Sequence, residues 1–311
     1  MIRAEEDRPV SCYTDGMKKS TSSLNTWISK LTPGSWGWRH LLFGTALSLT
    51  GALIPTLFIL PLLTSDSSTA PTGSTMNASS IALPIQFFAM FLLAVIGIRL
   101  WSGRHYKQQE LGLVYPKPIH YVWAALVGAG FVGFAQLVVP LLPTVRQASE
   151  TVAAQVAFTS DTFMNVIIIL SMAVAAPLGE ELVYRGIIMR SMYDRMARLK
   201  TTWLRALSPA LPLLTSAFLF GYSHGGEGQS QQLYFLALFG VLLGILYLRY
   251  SSIYIPVFAH SVCNLVNVCL LMSSAHANNI TLHPLLYVFA ALTPFISIGI
   301  LALTQRAIEP R

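Results

Sequence analysis

The chain has 311 residues, 54% of them apolar and only 11% charged. Soluble globular chains carry about 25% charged residues, so a soluble one-core enzyme, a disordered chain and a coiled coil all fit badly, and three cysteines are too few for a disulfide scaffold. The formal charge of +7 gathers in the connections between apolar stretches. There it orients a membrane protein rather than binding nucleic acid, and the fold class expected is all-α, a polytopic membrane helix bundle.

In chain order, residues 1–37 are mixed in charge and lack the apolar run of a secretory signal, so they read as a cytoplasmic tail. Trp36–His40, WGWRH, reads as an interfacial anchor. A helix crosses the hydrocarbon in about 20 residues, and about eight segments approach that length. Leu41–Leu63, Ile81–Leu100 and Tyr121–Leu142 form an N-terminal membrane region within 38–142. Between the first two lies a Ser/Thr-rich loop without periodicity. Phe163–Gly179 is short unless it runs on through ELVYRGIIM, which reads helically. Leu207–Tyr222 is interrupted by Pro209 and Pro212. Leu233–Leu248 is also short, Ile253–Leu271 contains His260 and Asn264, and Leu285–Leu303 begins a closing region, 285–311, of one span and a tail.

Alternating the connections places most Lys and Arg on one side, including Arg185, Arg190, Arg195, Arg198, Lys200 and Arg205. The positive-inside bias then puts both termini in the cytoplasm. A bacterial plasma membrane is the favoured location.

Polar groups at membrane depth are costly and mark function. Three clusters stand out: Glu180, Glu181 and Arg185 in PLGEELVYRG; His224 in FLFGYSHGG; His260 and Asn264 in FAHSVCNLVN. Glu181 and Arg185 are four apart on one helix face, the acidic residue first, which suits an ion pair. Glu180 points about 100° away, free for another partner. The bland reading is a solvated cap at the interface. His260 and Asn264 also share a face, where an imidazole and an amide can donate to one oxygen, or can simply bridge helices.

Together these clusters supply a carboxylate, two imidazoles and an amide, a set able to activate water and hold an oxyanion. A zinc site built from Glu180, His224 and His260 is the alternative, although HExxH is absent. A nucleophile fits less well, because Cys263 points away from His260 and Ser223 lacks a GxSxG setting.

In Glu180-Glu181-Leu-Val-Tyr-Arg185, Phe220-Gly-Tyr-Ser-His224 and His260-Ser-Val-Cys-Asn264, taken in order, the chain resembles the intramembrane CAAX protease and bacteriocin-processing family, also called CPBP or Abi. ELGL at Glu110–Leu113 is similar too. The resemblance covers a catalytic core of about 163–273 and implies an eight-helix membrane peptidase. It implies that Glu180 and His224 activate water, that His260 and Asn264 form the oxyanion hole, and that Glu181, Arg185 and Phe220 support them. No cofactor is favoured; zinc-dependent catalysis and a catalytically silent scaffold or transport-associated protein are the alternatives. The expected partners are membrane lipid and a peptide or lipidated protein substrate, with prenylated CAAX-type substrates included.

Simple span counting leaves one conflict. It sets Glu180 and His260 at similar depth and His224 nearer the opposite face. A helix shifted toward the cytoplasm, or broken at Pro209 and Pro212, would reconcile them.

Overall fold

A computed structural model describes residues 36–54, 78–102, 111–143, 146, 158, 160–224 and 230–308. The N-terminal tail to residue 35, the Ser/Thr-rich loop up to residue 77, the end of the first span, Glu110 of ELGL and the Gly225-Gly226 pair lie outside them; the last three residues of that loop reading, Ala78–Ser80, are helical instead.

Among the described residues all of the regular secondary structure is helical. The helices are α1 (Trp38–Ile54), α2 (Ala78–Ser102), α3 (Pro118–Val138), α4 (Thr162–Ala197), α5 (Thr202–Ala206), α6 (Ala210–Ser223), α7 (Ser230–Tyr250), α8 (Tyr254–Ala277) and α9 (Leu285–Ile308). Five contain stretches long and apolar enough to cross a membrane: α3, α4, α7, α8 and α9. In α2 and α6 the apolar stretches are shorter. The chain is an integral, multi-pass membrane protein.

The central element is α4. Of its apolar window 78% is buried, against 22% for α3 and 33% for α9, so α4 meets protein where the outer helices present side chains to lipid. It packs against α1, α2, α6, α8 and α9. The Asp161 carboxylate caps its start, accepting from the amides of Phe163 and Met164 at 2.9 and 3.3 Å, which satisfies donors that a helix N-terminus leaves open. At 36 residues and 1.5 Å per residue it is about 54 Å long, well beyond a hydrocarbon layer of about 30 Å. The run through ELVYRGIIM is therefore one continuous helix.

That overshoot resolves the conflict in depth. From Glu180 to Ala197 the helix travels about 26 Å. After the short α5, the chain returns along α6, whose 14 residues cover about 21 Å. His224, directly after α6, is thus brought back to the level of Glu180. Pro209 and Pro212 do not break α6; they lie at its N-cap and in its first turn, where a missing N–H costs nothing.

Two turns of α4 are widened to π geometry, Ser171–Ala175 and Leu182–Met189. Pro177 follows the first. Lacking an N–H, it cannot donate to the carbonyl of either Met172 or Ala173. Both carbonyls accept from other helices instead. The Asn264 Nδ2 on α8 donates to Met172 O at 2.7 Å, and the Ser297 Oγ on α9 lies 3.3 Å from Ala173 O, sharing its one hydrogen with Thr293 O at 3.0 Å on its own helix. Irregular backbone inside a membrane domain must find such partners.

At the N-terminal edge, Trp36 is buried against the His40 ring and its carbonyl accepts from Arg198, while Trp38 is 59% exposed and lies under the Arg195 guanidinium. Only the second tryptophan presents its ring outward. The turn before α3 uses Gly112 at φ +72°, a conformation that suits glycine. Its carbonyl accepts from Ile253 N at 2.8 Å, clasping the α7–α8 connection.

Candidate active site

Glu180 and Glu181 lie halfway along α4, with relative exposures of 4% and 0%. Their side chains part, as their neighbouring helix positions require. The Glu181 Oε1 accepts from Arg185 at 2.8 Å and from the His260 Nδ1 at 2.9 Å. Arg185 is fully buried. Its other terminal nitrogen donates to the Gly240 carbonyl on α7 at 2.9 Å, and its guanidinium carbon lies 4.8 Å from the Phe220 ring centre. A buried guanidinium with a carboxylate, a carbonyl and an aromatic face is a compensated charge.

Glu180 meets the imidazoles. The His224 Nε2 is 3.5 Å from its Oε1, and the His260 Nε2 is 3.8 Å from its Oε2. Neither ring is free to turn. The His224 Nδ1 lies 2.8 Å from Phe220 O; a carbonyl only accepts, so Nδ1 carries a proton and donates. By the same reasoning the His260 Nδ1 donates to the Glu181 carboxylate. Both Nε2 atoms are thereby aimed at the remaining carboxylate, Glu180. The His260 ring is further wedged edge-on between Phe220 and Phe239, at centroid distances of 5.8 and 5.4 Å.

Access comes from one side. The His224 side chain is 31% exposed, while those of Glu180 and His260 are each 5% exposed. An incoming group therefore meets His224 first, with the carboxylate behind it.

Three helices, α4, α6 and α8, thus bring Glu180, Glu181, His224 and His260 into one cluster, with Arg185 and Phe220 beside it. Asn264 is placed differently. It lies one turn beyond His260 on α8, and Nδ2 is bonded to Met172 O. Pro177, Tyr184 and Ser48 escaped the sequence reading, and Ser223 entered it only as a poor nucleophile. The signal for Pro177 was its position three residues before Glu180.

The two imidazoles meet different oxygens of Glu180. Among the described residues no three His, Cys, Asp or Glu side chains converge as a metal site requires.

Comparison with known proteins identifies the same part of the chain. Residues 162–266 match the family model for type II CAAX prenyl endopeptidase, Rce1-like. No curated protein and no solved structure matches. The matched stretch holds every residue of the buried Glu/His cluster, which fits a glutamate/histidine peptidase site.

Proposed function

We propose, from the match of residues 162–266 to the type II CAAX prenyl endopeptidase, Rce1-like family model, that this chain is an intramembrane peptidase of that family and hydrolyses a peptide bond near the cytoplasmic membrane face with water activated by Glu180 and His224. The observation that carries this reading is the pair of imidazole nitrogens aimed at one buried carboxylate. A water lodged over Glu180 and His224 can donate one hydrogen to each acceptor, keeping its lone pairs for the substrate carbonyl. As its oxygen attacks, one proton passes to Glu180 and then to the departing amine nitrogen, and the C–N bond breaks. The second proton, released as the new acid ionises, has His224 as its acceptor.

The oxyanion needs donors. His260, when protonated at both nitrogens, donates from Nε2, and Glu181 behind it holds the ring. Two carboxylates then balance one guanidinium and one imidazolium, so the buried cluster is neutral. Asn264 has a second amide hydrogen for the same oxyanion, and its bond to Met172 O fixes the amide plane. No step in this scheme uses a metal.

The membrane arrangement we infer has eight spans, α1–α4 and α6–α9, with both termini in the cytoplasm, as the Lys and Arg distribution favours. A bacterial plasma membrane suits this arrangement. The substrate is a peptide or lipidated protein, and the family's name makes prenylated C-terminal peptides the first class to try. The test uses the full chain in lipid vesicles with paired peptides, prenylated and unmodified. Mass analysis is expected to show one cleaved bond near the C-terminus; intact peptides from folded protein would contradict the reading.

A further inference from the structure

A second polar chain reaches the site from outside the matched segment. Tyr184 lies on α4, 2% exposed, and its hydroxyl is 2.7 Å from Ser223 Oγ and 2.7 Å from Ser48 Oγ. Ser223 closes α6, immediately before His224. Its hydroxyl donates to Phe220 O at 2.9 Å and lies 3.2 Å from the His224 Nδ1. Ser48 is on α1, far from residues 162–266 in sequence.

Counting hydrogens fixes the direction of this chain. Each hydroxyl has one hydrogen to give. Ser223 gives its own to Phe220 O. Tyr184 gives its hydrogen to Ser223, so the Tyr184 oxygen must accept from Ser48. The order is Ser48 to Tyr184 to Ser223 to Phe220 O, the same carbonyl that anchors the His224 Nδ1–H. With one lone pair of Ser223 filled by Tyr184, the other faces the His224 Nδ1–H. Hydroxyl chains aligned in this way polarise one another inside a protein.

We propose that Tyr184, supported by Ser48, is a positioning residue that keeps Ser223 from competing with the Phe220 carbonyl and so secures the tautomer of His224, with the proton on Nδ1 and a bare Nε2 toward Glu180. The proposal rests on the reading of Glu180 and His224 as the water-activating pair. The reason such a clamp is needed is local. His224 follows the last turn of α6, and its ring is anchored through the α6 terminus alone. Without the Tyr184 hydroxyl, Ser223 can swing off Phe220 O and donate to Nδ1 in competition with the hold of that carbonyl on the Nδ1 proton. That would favour the opposite tautomer, whose Nε2–H cannot take a proton from water. The hydroxyl of Thr45, one turn before Ser48, bonds only within α1, to Leu41 O at 3.0 Å, and provides the control.

Tyr184→Phe and Ser48→Ala each remove one hydroxyl and leave the backbone unchanged. On a peptide the wild type cleaves, each is expected to lower kcat about tenfold, by analogy with the loss of groups that orient a metal-bound histidine, with KM little altered. Thr45→Ala is expected to leave both unchanged. The second readout needs no turnover: ¹⁵N spectra of histidine-labelled protein in micelles, with the His224 signals assigned by their loss in His224→Gln. The wild type is expected to show protonated Nδ1 and bare Nε2, and Tyr184→Phe a mixture of tautomers. An unchanged His224 spectrum in both variants overturns the clamp, whether or not any peptide is cleaved. If Tyr184→Phe does not fold, Ser48→Ala decides. A wild type that cleaves no peptide but shows the tautomer shift retains the clamp and removes the hydrolytic reading.

Discussion

The His260 Nδ1 and the Arg185 guanidinium share one acceptor, the Oε1 of Glu181, at 2.9 and 2.8 Å. One buried oxygen thus joins the long helix α4 to α8 and sets the angle at which His260 presents Nε2 to Glu180. Glu181 shapes the site without facing its open side.

Replacing Glu181 with Gln strands the Arg185 charge, and its effect is structural first. Removing one partner of a buried pair costs about 3–5 kcal/mol. Thermal unfolding in detergent should show a large loss of stability, and Arg185→Met together with Glu181→Gln should recover part of it. A Glu181→Gln protein as stable as wild type would contradict the assigned ion pair.

Helix packing sets the position of His224. A Cβ at Gly221, one turn earlier, would overlap the Leu233 carbonyl on α7. Gly221→Ala should force α6 from α7 at a cost of about 1–3 kcal/mol and lower activity beyond what stability explains. Gly130 has open space where its side chain would be; Gly130→Ala should be neutral or stabilising by about 0.4–1 kcal/mol. Unfolding and turnover measured on both variants check the contrast.

Pro177 acts through a hydrogen it lacks. Pro177→Ala supplies an N–H that competes with Asn264 for Met172 O. Asn264 should then loosen, and kcat should fall. Losing an oxyanion donor costs about 10²–10³ in rate, so Pro177→Ala should fall short of that and Asn264→Ala should reach it. Steady-state kinetics of the two variants test the ordering; equal rates for Pro177→Ala and wild type would separate the proline from the site.

Sequence alone made some of this legible. Four-residue spacing placed Glu181 and Arg185 on one face because an α-helix returns every 3.6 residues, and the widened turn at Leu182–Met189 leaves that pair intact. The continuity of α4 followed from the helical reading of ELVYRGIIM. The depth of His224 did not, because it depends on how far α4 overshoots before α6 returns, which is a property of two helices. Pro209 and Pro212 suggested a break, since a proline's effect depends on whether it starts a helix or interrupts one. The Asn264–Met172 bond depends on a carbonyl freed by Pro177. Ser48 and Tyr184 are 136 residues apart, and no local pattern links them.

Topology is open to chemical labelling. With the native cysteines replaced by serine, single cysteines at Ser20 and Asn279 should react from opposite sides of sealed vesicles, Ser20 from the cytoplasmic side. Asn279 ends the turn after α8, at φ 62°. Reaction of both from one side would overturn the eight-span arrangement.

The account's central claim is that Glu180, paired with His224, is the group that activates water. Its most direct measurement is cleavage of one peptide by metal-stripped wild type and by Glu180→Gln, with bound metal determined on the same samples. Glutamine keeps the shape of Glu180 and removes the proton acceptor, and general-base catalysis is worth about 10²–10⁴ in rate. The wild type should keep its full rate after chelation, and Glu180→Gln should lose at least about 10²-fold while unfolding at nearly the same temperature. A rate that disappears with the metal and returns in step with added zinc, or a Glu180→Gln protein that still cleaves at the wild-type rate, would contradict the claim.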